Sequence, residues 1–188
     1  MPYLGNMNTT FTTLTASDAN ITDDLTVTDD ASVGGDLAVT GTVTMPQQPA
    51  FSARPTSQID NLLVNASENT HVVFGTERFD TGGDYNTSTG VFTAPVTGKY
   101  LLSFHLRLEN IDTATTDYYF TIATSNVHYT HRFDPDFGDS DTAHYHANLT
   151  VVADMDAGDT ANIEYYVVAG TAQTDIDTDS YFMGYLLG

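Results

Sequence analysis

The chain has 188 residues, of which 40% are hydrophobic, and this is enough for one domain with an appendage but not for two full domains. Its 25 acidic and 5 basic side chains give a formal net charge of −20, which repels phosphate backbones and anionic lipid headgroups. We therefore expect no nucleic acid partner and no membrane-surface partner. The absence of cysteine excludes disulfide scaffolds, thiolate metal sites and cysteine nucleophiles.

Hydrophobic segments are short throughout the sequence. No stretch approaches the roughly 18 consecutive apolar residues of a membrane span, and the opening MPYLGNMNTTF has neither the charged nor the apolar region of a secretory signal. We therefore expect no membrane insertion and no export by that route. The 11 Tyr and 10 Phe, with no Trp and with abundant Thr and Val, favour strands and predict an all-β protein.

The first quarter of the chain differs in composition from the rest, because no Lys or Arg precedes Arg54. We interpret residues 1–13 as an N-terminal anchor segment and residues 14–45 as a Thr/Asp/Gly-rich β-repeat stalk. The repeats open with leucines 11 and 12 residues apart, Leu14, Leu25 and Leu37. Such units cannot bury their apolar edge alone, so the stalk is expected to need sister chains. The alternative interpretation is a disordered acidic linker.

A short linker and a larger domain follow the stalk. Prolines at both ends of residues 46–49 (PQQP) interrupt any strand ladder, so this segment is interpreted as a linker. Residues 50–188 contain long alternating runs such as KYLLSFHLRLEN, DYYFTIATSN and TANIEYYVVAG, separated by Gly, Asp and Asn turns. They predict a sandwich of two antiparallel sheets. The alternation predicts five inward-facing side chains, Tyr100, Leu102, Phe104, Leu106 and Leu108.

The spacing of aromatic and glycine residues in this domain forms a signature. Its positions are Phe74, Asp80, Tyr85, Phe92, Gly98, Tyr100, Leu102 and Phe104. The pattern resembles the signature of the complement C1q-like globular domain at every position but Leu102, where that family usually has Phe. The opening Phe-Ser-Ala at 51–53, the Gly-Asp turn at 158–159 and the closing SYFMGYLL at 180–187 also resemble the family. We interpret the aromatic positions as packing residues of the sandwich.

The resemblance implies a C1q/TNF-like jelly-roll sandwich of about ten strands, assembled as a homotrimer, with binding by loops and outer faces. Relatives of this kind usually carry a collagen-like tail ahead of the head, and this sequence has no Gly-X-Y repeat. The β-repeat stalk occupies that position instead. Three copies wound about one axis would supply the burial and hydrogen bonds that one ribbon lacks.

The stalk repeats, of the form L-x-V-T-D-x-x-V-x-G-x-L-x-V, resemble the shafts that precede the heads of bacteriophage fibres. C1q-like heads are ordinarily extracellular, and a virion protein reaches the outside by lysis without a secretion signal. We therefore expect a phage structural protein on the external surface of the virion. Residues 1–13 would dock on a capsid or tail protein. The head would bind a host cell-surface glycan or protein through loops at 109–117 and 132–143.

Other functions remain open at this point. The protein could be a capsid decoration or head-fibre protein with a mainly structural role, or a bacterial surface or spore-coat adhesin with a C1q-like head. No nucleophile motif, P-loop or dinucleotide fingerprint occurs, and the resemblance is to a binding family, so we expect no enzyme activity. Carboxylate pairs alone leave a glycosidase open.

Two clusters of side chains suggest metal ions, and no other cofactor is expected. The loop FDPDFGDSD carries four carboxylates suited to calcium, Asp134, Asp136, Asp139 and Asp141. The alternative is a solvated acidic loop. His144 and His146 would share one face of a strand, and three such pairs at a threefold axis would offer six imidazoles to one transition metal ion. The alternative is exposed or core histidines.

A second set of acidic residues lies just before the last predicted strand. Asp175, Asp177 and Asp179 alternate, so their side chains are expected to share one face of the chain. We interpret them as a solvated face.

Overall fold

The structure, a computed structural model, describes residues 23–66, 70–136 and 140–187. The chain divides into two units, Met1–Val43 and Thr44–Gly188. Every regular element in the described residues is a β-strand, so the all-β prediction is confirmed. Within these ranges no helix has the length and apolar character needed to cross a membrane.

Twelve strands are found in the described part of the second unit, and three of them span only two residues. They are β1 (Ala50–Arg54), β2 (Thr70–His71), β3 (Thr76–Thr81), β4 (Tyr85–Asn86), β5 (Val91–Thr93), β6 (Gly98–Ile111), β7 (Asp117–Thr124), β8 (His128–Phe133), β9 (Thr142–Met155), β10 (Thr160–Val168), β11 (Asp175–Ile176) and β12 (Tyr181–Leu186).

The strands form two antiparallel sheets. The first sheet has the order β9, β6, β12, β1, β3, and β11 lies beside β12 along the same side of β6. The second sheet has the order β4, β5, β10, β7, β8, with β2 pairing to the β5 side of β10. Apart from the hairpins β4–β5 and β7–β8, neighbours in these sheets are not consecutive in the chain, as is typical of a jelly roll, and the predicted two-sheet sandwich is confirmed.

Aromatic rings fill the space between the two sheets. The ring of Phe51 stacks on Tyr85 at 4.9 Å and on Phe92 at 4.7 Å between centroids, and it meets Phe182 edge-on at 5.0 Å. These rings come from both sheets, so the contacts join the layers. The aromatic and leucine positions of the signature are buried, as predicted: Phe74, Tyr85, Phe92, Tyr100, Leu102 and Phe104. They are core residues and not a binding surface.

A strand glycine allows the rings to pack so closely. Gly184 lies in β12 opposite Phe51 of β1 on one side and Leu102 of β6 on the other. A Cβ atom at this position would come within 2.9 Å of Leu102 Cδ2 and closer still to the Phe51 ring. The glycine in SYFMGYLL is therefore explained by the space that the Phe51 ring occupies.

A carboxylate closes one turn of the signature, and the prediction of a solvated face was wrong for Asp175. Asp80 accepts hydrogen bonds from the backbone N–H groups of Asp84 and Tyr85, at 3.2 and 2.9 Å. Asp175 does not lie on a solvated face, because it is only 7% exposed. Its carboxylate accepts hydrogen bonds from Asn61 N at 2.7 Å and Asn110 Nδ2 at 2.9 Å, so it ties the loop at Asn61 to the end of β6.

The predicted anchor segment, residues 1–13, and the beginning of the stalk lie outside the described residues. In residues 23–43 the single chain forms no strand, and the apolar side chains of the repeats are exposed. They are Leu25, Val27, Val33, Leu37, Val39 and Val43. The single ribbon does not bury these side chains, so an ordered stalk would need partner chains and remains a prediction.

We predict that Gly184→Ala destabilises the head by about 1–3 kcal/mol, because the added methyl group has to displace the Phe51 ring or the Leu102 side chain. Urea unfolding followed by circular dichroism would show a lower midpoint. Gly35→Ala is the matched control, since nothing lies within 4 Å of a Cβ at that glycine. Equal midpoints for the two variants would contradict this account of the core.

Candidate functional site on the outer face of the first sheet

The pairing of β6 with β9 creates a broad exposed surface. The two strands run antiparallel from Gly98 opposite Met155 to Ile111 opposite Thr142. Side chains of β6 at even positions from 100 to 108 point into the core, so those at odd positions point out. We use the name outer face for the opposite side of the first sheet from the core.

One half of the outer face is apolar. We define the apolar patch by Phe79, Leu101, Val152, Met183 and Tyr185, which come from strands β3, β6, β9 and β12. Leu101 lies opposite both Val152 and Tyr185, so the patch crosses neighbouring strands. Phe79 and Val152 are each 53% exposed and Tyr185 is 42% exposed. Side chains of this size in water are typical of an interface and not of a solvated face.

A pair of histidines lies next to the apolar patch. The Nδ1 atom of His146 is 3.1 Å from the Nε2 atom of His105, and the ring centroids are 5.0 Å apart. His105 is also stacked on Tyr181, its neighbour in β12, at 5.5 Å between centroids. Arg78 covers the Tyr181 ring at 5.5 Å. The histidine pair is thus part of a row of stacked side chains that crosses the sheet.

Burial and the neighbouring His146 ring lower the pKa of His105, and the charge of Asp179 opposes that shift. Desolvation and a nearby cation both disfavour the charged imidazolium. The His105 ring is therefore held in its neutral form at neutral pH, with one nitrogen lone pair available.

An ion-pair network borders the histidine pair. The Arg107 guanidinium is 2.7 Å from Glu109, 3.3 Å from Asp177 and 3.1 Å from Asp179. His144 Nδ1 is 3.6 Å from the same Glu109 carboxylate. Three carboxylates around one guanidinium leave this corner of the outer face with net negative charge.

The predicted metal histidines are on one strand face, as expected, but they have different neighbours. His144 and His146 are both exposed on β9, where His144 faces Glu109 and His146 faces Arg107 across the ladder. The partner that His146 contacts is His105, which the sequence analysis did not identify. His105 alternates with buried Phe104 and Leu106 in β6, which indicates an outward side chain, but only the strand register brings it to His146. The axis-metal hypothesis stays a prediction.

The acidic loop between β8 and β9 is used partly for local structure. Asp134 accepts a hydrogen bond from Asp136 N at 3.0 Å. Asp141 accepts hydrogen bonds from Thr113 N at 3.1 Å, Thr113 Oγ1 at 3.0 Å and Gln173 Nε2 at 2.8 Å. These bonds hold the pKa of Asp141 below its usual range.

Calcium in this loop stays a prediction, because Asp139 lies outside the described residues. Across residues 23–66, 70–136 and 140–187, no group of three or more His, Cys, Asp or Glu is placed to hold a metal ion.

The hydrogen bonds of Asp141 have a different consequence: they bring three loops to one end of the sandwich. We define the loop cluster by residues 112–116, the described parts of 134–141, and 169–174.

The edge strands β8 and β9 leave a seam at one side of the sandwich. Phe133 of β8 stacks on Tyr145 of β9 at 4.2 Å, and Tyr129 packs against the same core. His131 faces this seam between Tyr129 and Phe133, and its Nε2 atom is buried without a hydrogen-bond partner. Burial lowers the pKa of His131, since nothing there compensates the charge of an imidazolium.

The strand order and the aromatic core define a jelly-roll domain of the complement C1q and tumour-necrosis-factor type. Residues 50–187 match the family model for the C1q domain, so the chain belongs to that family. Domains of this family are generally non-catalytic binding domains and typically form homotrimers.

Two kinds of solved structure are similar to the chain. The globular domain of zebrafish complement 1qA protein has 21% identity and a TM-score of 0.54, covering 75% of this chain and 98% of that one. Murine APRIL at pH 8.0 has 12% identity and a TM-score of 0.53, covering 74% of this chain and 99% of that one. At these identities the similarity shows the fold alone. No curated protein sequence matches the chain.

We predict that His131 makes the head less stable in mild acid. A histidine whose pKa is lowered on folding does not destabilise the folded state above its ordinary pKa of about 6.5. Below that pH the unfolded chain binds the proton more readily, so stability is lost as the pH falls through the lowered pKa. His131→Gln should therefore lose less stability than the wild type between about pH 7.5 and about pH 5. Urea midpoints at both pH values would measure this. His128→Gln, on the exposed face of the same strand, should behave as the wild type. A wild-type pH response in His131→Gln would contradict the assignment.

Proposed function

We propose that the protein is a non-enzymatic virion fibre or spike, in which a homotrimeric C1q-like head projects outward and binds a host cell-surface glycan or protein. The observation that carries the proposal is the apolar patch on the outer face of the first sheet. Membership of the C1q domain family supports a binding role. The apolar patch bears directly on the homotrimer. The stalk bears on the virion context, and the loop cluster bears on host binding.

The apolar patch supports the homotrimer because the single chain leaves it in water. Phe79, Val152 and Tyr185 expose about half of their surfaces, and covering them would contribute roughly 25 cal/mol for each Å² removed from water. The patch is flat, since it is formed by parallel rows of side chains on one sheet. A flat apolar surface fits a rigid, preformed partner such as another folded copy.

The β8–β9 seam supports a cyclic arrangement. A ring of three copies is built from heterologous contacts, in which one surface of each copy meets a different surface of the next. The seam carries the half-buried aromatic rings Tyr129, Phe133 and Tyr145 between two edge strands. Edge strands need covering to prevent uncontrolled pairing. We propose that the seam of one copy packs on the apolar patch of the next.

The stalk supports a fibre more than a free-standing head. Leu25, Leu37 and the four valines between residues 27 and 43 recur at short intervals on an acidic ribbon and are exposed in the single chain. Three ribbons held together by a trimeric head would be at high local concentration, which lowers the entropic cost of winding them into a shaft. A shaft ahead of a binding head is the arrangement of a virion appendage. External virion localisation and attachment to a capsid or tail protein through residues 1–13 are part of the same proposal.

The loop cluster supports contact with a host surface. Hydrogen bonds from Thr113 and Gln173 to Asp141 hold the three loops together. Asp112 adds bonds from Thr171 N at 2.5 Å and Ala114 N at 2.8 Å. Preorganised loops lose little entropy on binding, and polar oxygens and amides are suited to glycan hydroxyl groups.

We predict that the purified chain has a native mass of three chains of 20.3 kDa, about 61 kDa, by light scattering. Tyr185→Asp should convert it to the monomer mass at low micromolar concentration, since a carboxylate would be buried without a partner in the interface. Val73→Asp is the matched control, because Val73 is 36% exposed but lies outside both the apolar patch and the β8–β9 seam. A monomeric wild-type protein, or a Tyr185→Asp protein that stays trimeric, would contradict the proposed assembly.

We predict that the fluorescently labelled full chain binds saturably to a subset of bacterial strains in flow cytometry and that unlabelled protein competes. Ala114→Arg, in the exposed part of the loop cluster, should reduce binding at least about tenfold by placing a bulky cation in the contact. Val73→Arg, outside the apolar patch, the seam and the loop cluster, should bind as the wild type. If no strain is bound, and the chain instead binds virions that lack it, the host-binding role is wrong and a structural decoration role replaces it.

A further inference from the structure

We propose that His105 and His146 form a binding site for a divalent transition metal ion such as Zn²⁺, Ni²⁺ or Cu²⁺ on the outer face of the first sheet. The site is made by one chain and does not depend on the virion role or on the trimer.

The distance between the two facing ring nitrogens suits chelation. His146 Nδ1 and His105 Nε2 are 3.1 Å apart. Two nitrogens each about 2.0–2.1 Å from one ion are about 3.3 Å apart at a tetrahedral angle and about 2.9 Å apart at a right angle. The observed separation lies between these values. One ion could therefore bind both nitrogens at nearly their present separation, after the rings turn so that both lone pairs point at it.

The two rings are held in place before an ion arrives. Both histidines lie within long paired strands, β6 and β9, so their backbone positions are fixed by the ladder. Tyr181 stacks on the other side of His105, and Arg78 covers Tyr181. A ligand whose ring orientation is set by packing loses little entropy when it coordinates.

The charge around the pair favours a cation. Arg107 is the nearest fixed positive group in the ladder, and it is neutralised by Glu109, Asp177 and Asp179. The three carboxylates exceed the two guanidinium groups of Arg107 and Arg78, so the site lies in negative potential that attracts a divalent ion. His146 is exposed and His105 is partly exposed, which gives an ion access from solvent.

Coordination requires a change of tautomer and no other chemistry. In the free pair, one facing nitrogen carries a proton and donates a hydrogen bond to the other. When an ion binds, both facing nitrogens present lone pairs, and each ring carries its remaining proton on its other nitrogen. The displaced proton reaches that nitrogen through water. The remaining coordination positions are filled by water in a single chain.

The ligand type sets the selectivity. Imidazole nitrogens suit zinc, nickel and copper, with Cu²⁺ bound most tightly, whereas Ca²⁺ and Mg²⁺ prefer oxygen ligands. This site therefore differs in chemistry from the calcium predicted in the acidic loop. It also differs in ligands from the predicted His144–His146 site, because His144 contacts Glu109 and not His146.

The test is calorimetric titration of the chelator-treated, dialysed full chain with ZnCl₂ and with CuCl₂. We expect saturation at one ion per chain, with tighter binding of Cu²⁺. His105→Asn and His146→Asn should each weaken binding at least about tenfold, because a single imidazole remains. His144→Asn is the matched control, since it removes an exposed histidine from the same strand face, and its affinity should stay within about threefold of the wild type.

A second measurement avoids any effect of the variants on folding. In the wild-type chain, one equivalent of diamagnetic Zn²⁺ should shift the ring proton resonances of His105 and His146 and leave those of His128 and His144 in place. The proposal is overturned if these two rings do not respond. It is also overturned if His105→Asn binds as the wild type, if His144→Asn weakens binding as much as His146→Asn, or if saturation occurs at one ion per three chains.

Discussion

The packing of the Phe51 ring is the interaction on which the rest of the structure depends. The ring lies between Tyr85 and Phe92 of the second sheet and meets Phe182 of its own sheet edge-on. It also occupies the space above Gly184, where any side chain on β12 would collide with the ring. Because the sheets are joined through these contacts, the orientation of every strand in the first sheet is fixed. The aromatic layer sets the distance between the two sheets, and this distance gives the inward side chains of each strand room to pack.

The outer face follows from the same constraint. When the signature residues of β6 point into the aromatic layer, the alternating residues are forced outward, including Leu101, His105 and Arg107. The long pairing of β6 with β9 then aligns a second set of outward residues beside them. The apolar patch and the histidine pair are therefore the solvent side of the strands that build the core. The inner residues of these strands build the core, and the outer residues are left to carry assembly or ligand binding.

The sequence allowed the inner residues to be predicted and left most of the outer contacts unknown. Alternation and signature spacing are local properties, so the buried positions of β6 and the two-sheet sandwich could be predicted. The contact of His146 with His105 depends on the register of two strands that are far apart in the chain, and no local pattern encodes it. Asp175 was misjudged for a related reason, since its burial depends on donors from Asn61, in a loop, and from Asn110, at the end of β6. Charged residues in a loop look solvated until the loops that surround them are known.

The two units of the chain differ in how their apolar side chains are satisfied. In the head, inward alternation from two sheets gives each ring a partner within the same chain. In residues 23–43 the apolar side chains are small and regularly spaced, and they have no second layer within the chain. Adding hydrophobic residues to one ribbon would not solve this, because a single thin strand has no interior. Burial in such a segment has to be supplied by other copies, and a head that trimerises is the simplest way to bring exactly matched ribbons together. In the proposed trimer, the order of the stalk would follow from head assembly and not from its own sequence alone.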